Sequence, residues 1–216
     1  MRIVATSDTH YVPWGETQIP DGDVFIHAGD LMQDGYIDEW RSRVEWLAML
    51  PHKVKIYVPG NHDFHMKLYP GPALQNLRNA GVMVIGLPGN SHYDSIVLPN
   101  CMTLLGLPYV TNLPRWAFNI EEKELFSYLR PKPYHDIIVS HMPVHGILDM
   151  ASNGKHAGSK PYRQYFDTYP APKVWISGHI HEGYGKILDK NGCDFYNVAM
   201  CNREYVHQNP PMVIDL

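Results

Sequence analysis

Five short apolar runs in this chain each end at an aspartate, an asparagine or a histidine, and no other feature constrains the fold as strongly. The runs are 3–7 before Asp8 and His10, 24–29 before Asp30, 56–60 before Asn61 and His62, 137–140 before His141, and 174–178 before His179 and His181. Runs of this length and composition predict buried strands. Because open α/β sheets bind ligands beyond the carboxyl ends of their strands, we expect these polar side chains to meet at one rim.

The spacing within these segments favours a shared site. Asp8 and His10 are two residues apart, and so are His179 and His181. In an extended chain, side chains with this spacing project to the same side, so both members of each pair can contact a single site. Glycines, which permit tight turns and close backbone approach, stand beside the candidate ligands at Gly29, Gly60 and Gly178.

The wider pattern predicts a mixed-sheet α/β domain, because helices alternate with strands early in the chain and strands crowd together later. The predicted strands are 2–6, 24–27, 54–58, 82–86, 96–98, 102–106, 136–139, 173–176, 184–188, 195–199 and 212–214. The predicted helices are 37–50, 72–80 and 120–129, the last begun by a capping box of Asn119 and Glu122. Segment 142–172 lacks a clear pattern and is expected to be a functional loop, with disorder as the alternative.

Composition excludes several classes of protein. The 216 residues suit one domain spanning 1–216, and a net charge of -4 argues against a large basic surface for nucleic acid. Three cysteines without CxxC spacing disfavour a disulfide framework and a thiolate zinc site. No signal-peptide pattern precedes Asp8 and no apolar run reaches transmembrane length, so we expect a cytoplasmic protein without membrane contact.

Five short motifs resemble, in order, those of the calcineurin-like metallophosphoesterase superfamily. They are Asp8-Thr9-His10, Gly29-Asp30, Gly60-Asn61-His62-Asp63, Ser140-His141 and Gly178-His179-Ile180-His181. Residues 24–30 also resemble the small branch of metallophosphoesterase-domain-containing proteins. The resemblance implies a four-layer α/β/β/α sandwich with mixed β-sheets, the metallophosphoesterase fold.

The resemblance also implies a pair of divalent ions and a role for each motif residue. One ion would be held by Asp8, His10, Asp30 and His181; the other would be held by Asn61, His141, His179 and the bridging Asp30. His62 would face the leaving group without binding metal, and Asp63 is a candidate to orient it. Substrate-binding residues are left unassigned.

Charge bookkeeping is consistent with this ligand set. Two divalent ions bring four positive charges and the two aspartates return two, so the excess favours an anionic phosphate and deprotonation of a bridging water for in-line attack. Mixed nitrogen and oxygen ligands suit Mn²⁺, Fe²⁺ or Zn²⁺ better than Ca²⁺, and Mn²⁺ is the predicted activator.

These observations predict a phosphodiesterase for a small phosphate ester such as a cyclic nucleotide, with no extended nucleic-acid surface and an undetermined oligomeric state. A phosphomonoesterase with the same centre is the close alternative, and a nuclease or a non-catalytic metal-binding scaffold is less favoured. A serine/threonine protein phosphatase is disfavoured because residues 31–35, after Gly29-Asp30, lack that branch's arginine.

For several weaker sequence signals, an ordinary structural role is preferred to a functional one. Lys155, Lys160 and Arg163 would suit a phosphate clamp, but a solvated loop is favoured. Tyr11, Trp14, Phe64 and Trp116 would suit base stacking, but loop packing is favoured for each. His27 lies inside a strand pattern and is expected to be a core group that orients ligands.

Overall fold

The computed structural model describes residues 1–10, 18–87, 94–130, 132–189 and 191–216, which form two mixed β-sheets. The strands are β1 (Arg2–Thr6), β2 (Val24–His27), β3 (Val54–Tyr57), β4 (Val82–Val84), β5 (Ser95–Val97), β6 (Thr103–Leu107), β7 (Ile137–Ser140), β8 (Val174–Ser177), β9 (Gly185–Leu188), β10 (Asp194–Asn197) and β11 (Met212–Asp215). Each of them overlaps a strand predicted from the sequence. Most boundaries shift by one or two residues, the ordinary uncertainty of strand ends.

The strand orders place the carboxyl ends of the five strands that precede the motifs, β1, β2, β3, β7 and β8, at one edge of the molecule. The first sheet has the order β11-β1-β2-β3-β4, parallel except for β11. The second has the order β5-β6-β7-β8-β10-β9, parallel except for its outer strands β5 and β9. The parallel strands that carry the motifs are therefore central in both sheets.

Helices cover the outer faces of both sheets. They are α1 (Ile37–Met49), α2 (Phe64–Leu68), α3 (Pro70–Asn79), α4 (Glu122–Leu129) and α5 (Lys160–Thr168), with a 3-10 turn at His181–Gly183. On the first sheet, Trp40 and Leu47 of α1 share a buried cluster with Phe25 of β2. On the second sheet, Leu125 of α4 and Phe166 of α5 share one with Trp175 of β8.

A third apolar cluster lies between the sheets. In β2, Ile26 joins this inner cluster whereas its neighbour Phe25 faces the helices, as the two-residue period of a strand requires. Ile137 and Val139 of β7 meet the inner cluster from the opposite sheet. Strands buried on both faces read as continuous apolar runs, which is why the sequence pattern was clear. The four-layer α/β/β/α prediction is confirmed.

Three details of the helix prediction were wrong, the first being that the short helix α2 (Phe64–Leu68) was not predicted. Helix α4 begins at Glu122 after an N-cap at Glu121, and no side chain caps it. The Asn119 side chain instead accepts a hydrogen bond from the Leu113 backbone N–H (2.9 Å), closing the preceding loop. Helix α5 was missed inside segment 142–172, although Ser159 caps it by accepting from the Tyr162 N–H (3.3 Å).

No helix in the part of the chain that the structure describes has both the length and the apolar character of a membrane span.

Candidate metal centre

The two sheets are joined at the edge where the motif strands end. Ser7, just beyond β1, forms a parallel bridge with Ala199, just beyond β10. The Ser7 N–H donates to the Val198 carbonyl oxygen (3.1 Å), and the Met200 N–H donates to the Ser7 carbonyl oxygen (3.0 Å). This bridge brings the carboxyl ends of both sheets to a common rim.

Side chains from all five motifs converge at this rim in three overlapping groups. Within each group the nitrogen and oxygen atoms lie within 4.8 Å of one another: Asp8, His10 and His181; His10, Asp30 and His62; Asp30, His141 and His179. Asn61 is also present, with Oδ1 3.0 Å from His141 Nε2. The seven predicted ligands and His62 therefore lie together, and their division between two ions stays a prediction.

Backbone carbonyls fix the orientation of four histidine rings. The Nδ1 contacts are His10 with Met32 O (3.1 Å), His62 with Gln33 O (2.6 Å), His141 with Ala28 O (2.9 Å) and His181 with Asn202 O (2.7 Å). A nitrogen that faces a carbonyl oxygen must carry the proton, so the neutral ring has its lone pair on Nε2. Carbonyl partners of this kind orient histidines that bind metals.

The Nε2 atoms face other acceptors, and this crowding identifies a place for cations. His10 Nε2 and His181 Nε2 are 3.3 Å apart, and His181 Nε2 is 3.3 Å from Asp8 Oδ1. Lone pairs this close repel one another unless a positive charge lies among them. Imidazole nitrogen and carboxylate oxygen together suit divalent transition metals. The residues present therefore fit the metal that the motifs imply.

Without metal, protons take the place of that charge. Burial disfavours the charged form of His141, but the nearby Asp30 carboxylate outweighs it and raises the pKa of His141 to about 9. Burial likewise opposes the charge on His181, and Asp8 outweighs it and raises the pKa of His181 to about 9. The same pairs act against burial to hold the pKa values of Asp8 and Asp30 below their ordinary range. Both carboxylates are therefore ionised.

Two other histidines stay neutral. Burial lowers the pKa of His10 to about 4 and that of His179 to about 3. Neutral imidazole is the form that binds a metal ion, so these two rings are ready to coordinate at neutral pH.

The backbone around the centre is strained and tightly packed. Four of the predicted ligands have left-handed φ angles: Asp8 (51°), His10 (42°), Asp30 (55°) and His179 (65°). Such conformations cost about 1–3 kcal/mol each and concentrate at functional sites. A Cβ at Gly60 would collide with the Asp30 carboxylate, and one at Gly178 would collide with Ser7 and Asp8. Glycine is thus required where the motifs have it.

Asp63 has a different role from the one predicted. Its carboxylate accepts hydrogen bonds from the backbone N–H groups of Gly60 (2.6 Å), Asp30 (2.9 Å) and Met32 (3.1 Å). Burial and then the nearby Asp30 carboxylate raise the pKa of Asp63 to about 7, opposed by the Gly60 hydrogen bond. The orienting contact on the His62 ring comes from Gln33 O, so Asp63 holds the two ligand loops together instead.

Glu39, which the sequence gave no reason to select, supports that Gln33 carbonyl. Its buried carboxylate accepts from the backbone N–H groups of Gln33, Asp34 (3.1 Å) and Gly35 (2.9 Å). His62 is also held through its own backbone N–H, which donates to Asp30 Oδ1 (2.8 Å). His62 is therefore held at its backbone and at ring atom Nδ1, with Nε2 4.0 Å from Asp30 Oδ2.

An open cleft lies over the centre and adds residues that sequence reasoning missed. It is lined by Asp30, Asn61, His62, His179 and His181 of the centre, and by Leu113, Trp116, Ile180, Glu182, Arg203 and Tyr205. Arg203 and Tyr205 follow β10 at the same rim, which was the only sequence signal available for them. Trp116 had been considered as a stacking residue, with loop packing preferred.

The remaining candidates have structural contacts. His27 Nδ1 accepts from the Gly29 N–H (3.3 Å), and its Nε2 lies 2.9 Å from Thr9 Oγ1, which agrees with the predicted core role. Arg163 pairs with Asp167 (2.8 Å) on the exposed face of α5. Lys155, Lys160 and Arg163 are absent from the described lining of the cleft. Tyr11 and Trp14 lie outside the described residues.

Known proteins resemble this chain over its whole length. The model of the calcineurin-like phosphoesterase family matches residues 1–183. Metallophosphoesterase domain-containing protein 1 of Homo sapiens is 31% identical over 233 residues, covering 100% of this chain and 71% of its own. A UPF0046 protein of Caenorhabditis elegans is 27% identical, covering 100% of this chain and 60% of its own. A solved dimetal phosphatase from Danio rerio aligns with a TM-score of 0.40 at 13% identity, covering 91% of this chain and 86% of its own.

Proposed function

This chain belongs to the calcineurin-like phosphoesterase family and is a metal-dependent phosphoester hydrolase, and from that premise we propose that it hydrolyses small phosphodiesters with the help of two divalent ions. The observation that carries the proposal is that the three groups of candidate ligands share residues, His10 between the first and second groups and Asp30 between the second and third. Each group also has at least one residue in the lining of the same cleft. Mn²⁺ is the proposed activator, and the cytoplasm is the proposed compartment.

The charge of the cleft supports a diester rather than a monoester. Among the described residues that line it, Arg203 is the one lysine or arginine, and Glu182 opposes its charge. Beyond the excess charge that the two ions would supply to either ester, a phosphodiester has a single negative charge to match, whereas a monoester dianion would need more positive charge from the cleft to leave water. Arg203 also pairs with Glu204 (3.1 Å), which further reduces the positive charge that Arg203 offers to a substrate.

The side chains would have two roles, holding the metal ions and transferring a proton. Divalent ions, when bound, supply Lewis acidity and activate water. Asp8, His10, Asp30, Asn61, His141, His179 and His181 would hold those ions. His62 presents Nε2 to the cleft, because Gln33 O occupies its Nδ1. When the His62 ring carries a second proton, on Nε2, that proton can pass to the leaving oxygen as the oxygen of a water bonds to phosphorus and the leaving bond breaks, so that the diester and water give an alcohol and a phosphomonoester.

The proposal is tested by comparing bis-p-nitrophenyl phosphate with p-nitrophenyl phosphate as substrates, with Mn²⁺ and with a chelator. We expect a higher kcat/KM for the diester and loss of both activities on chelation. Cyclic nucleotides belong in the same substrate panel. A clear preference for the monoester would identify a phosphomonoesterase, and activity that survives chelation would contradict the metal requirement.

A further inference from the structure

Two aromatic rings from distant parts of the chain pack against His62. Trp116 has its ring centroid 4.4 Å from that of His62, and Tyr205 has its centroid 6.0 Å away. Both rings line the cleft and both are partly exposed there. Since His62 is the residue proposed to face the leaving group, any substituent on that oxygen must lie beside these two rings.

Tyr205 is held in place by the same turn that supports a candidate ligand. The Asn202 side chain Oδ1 accepts from the backbone N–H groups of Glu204 (3.0 Å) and Val206 (3.0 Å). The Asn202 backbone carbonyl accepts from the Tyr205 N–H (2.9 Å) and also contacts His181 Nδ1 (2.7 Å). Tyr205 is therefore fixed relative to the metal centre.

The conformation of Tyr205 is costly and leaves much of its surface in water. Its φ angle is 59°, and 42% of its surface is exposed. Its ring meets the rings of His10 (4.8 Å) and His181 (5.3 Å) edge to face. Loop packing alone does not require a half-exposed aromatic residue in a strained backbone conformation, so its position at a candidate site indicates a role in binding.

Trp116 is tied to the metal centre from the other side. The N–H of its neighbour Ala117 donates to the Asn61 carbonyl oxygen (3.1 Å), and the Trp116 N–H closes its own turn on Leu113 O (3.0 Å). The Trp116 ring is half-buried, with Phe64 5.9 Å behind it. Backbone hydrogen bonds thus hold the turns that carry both aromatic residues next to the metal centre.

We propose that Tyr205 and Trp116 form a binding subsite for a planar aromatic substituent on the phosphoester, an inference that rests on the proposed function. A planar ring gains binding free energy by stacking on an aromatic side chain, and this stacking requires no matching hydrogen bonds. Leu113 and Ile180 add apolar surface to the same cleft. The substrate class is therefore a phosphoester whose alcohol carries an aromatic or heteroaromatic ring, rather than one with a simple alkyl group.

The test measures binding of two non-hydrolysable ligands to the Mn²⁺-loaded full chain by calorimetry. Methylphenylphosphinate and dimethylphosphinate both carry the single negative charge of a diester and differ in the ring. We expect methylphenylphosphinate to bind about tenfold more tightly, which is the scale of one aromatic stack. Equal affinities of the two phosphinates, or tighter binding of dimethylphosphinate, would overturn the subsite.

Variants assign the preference to the two rings. Tyr205→Leu and Trp116→Leu should each bring the affinity ratio close to one, while Tyr205→Phe should keep it. Tyr134→Leu is a matched control, because Tyr134 is similarly exposed (47%) but precedes β7 at the opposite end of the strand. An unchanged ratio in both leucine variants would overturn the subsite. The diester assay tests the proposed function separately, since it needs neither ligand.

Discussion

The Gln33 carbonyl oxygen lies 2.6 Å from His62 Nδ1 and so fixes which nitrogen of that ring faces the cleft. The carbonyl is itself positioned by Glu39, whose carboxylate binds the backbone N–H groups of residues 33–35. A helix side chain that touches neither metal ligand nor cleft therefore controls the direction of the ring proposed to donate the proton.

Replacing Glu39 tests this positioning role. Glu39→Gln removes the charge that gathers the three N–H groups, so we expect kcat to fall about 10- to 100-fold as the His62 ring loses its alignment. KM and the metal content should stay near wild type. Glu45→Gln, an exposed position on the same helix, is the matched control and should leave kcat unchanged. A parallel loss of metal would show that Glu39 merely supports the fold.

His62 itself is expected to act on the leaving group and not on the metal. His62→Ala should keep the wild-type metal content and lose about 10²- to 10⁴-fold in kcat, the usual value of general acid help. The loss should shrink for esters with good leaving groups, such as p-nitrophenolate, because these need less protonation. Equal losses for good and poor leaving groups would remove His62 from proton transfer.

Glycine substitutions test how tightly the centre is packed. Gly60→Ala puts a methyl group against Asp30 and His141, and we expect it to destabilise the protein by about 1–3 kcal/mol and to weaken metal binding. Gly71→Ala is the control, because a Cβ there meets nothing within 4 Å and the residue lies in helix α3. Urea unfolding with and without Mn²⁺ measures both effects, and a Gly60→Ala protein as stable as wild type would contradict the packing.

Buried His27 makes the metal-free protein sensitive to acid. Burial lowers the pKa of His27 to about 3, far below its ordinary 6.5. Between these values the unfolded chain binds a proton that the folded chain does not, so stability is present above pH 6.5 and is lost as the pH falls. The slope from this group approaches about 1.4 kcal/mol per pH unit.

His27→Gln isolates this contribution, since glutamine does not titrate. In chelator, the unfolding free energy of wild type should fall more steeply than that of His27→Gln between pH 6.5 and pH 4.5. The histidines whose pKa is raised, His141 and His181, are shared by both proteins and cancel in the difference. Parallel pH profiles would show that His27 is protonated in the fold.

The sequence predicted those features that a local pattern encodes. Doubly buried strands such as β2 and β7 produce unbroken apolar runs, and the side chains just beyond them meet because parallel strands end together. The gathering of Asp30 with His141 therefore followed from spacing and resemblance alone.

Features that depend on tertiary geometry were missed for a physical reason. The carbonyl of Gln33 and the carboxylate of Glu39 act through backbone groups, which every residue has, so no residue type marks them. Tyr205 reaches the cleft through a strained turn whose direction has no periodic signal. The capping box at Asn119 failed because that side chain had a competing partner in the Leu113 N–H.

The most direct test of the account is the number of Mn²⁺ ions that the chain holds, measured by elemental analysis after dialysis, for wild type and Asp30→Asn. Asp30 belongs to two of the three acceptor groups, so its charge should be needed for both ions. We predict two ions per wild-type chain and the joint loss of metal and diesterase activity in Asp30→Asn. A wild-type chain that binds no divalent metal, or an Asp30→Asn chain that keeps both ions and full activity, would contradict it.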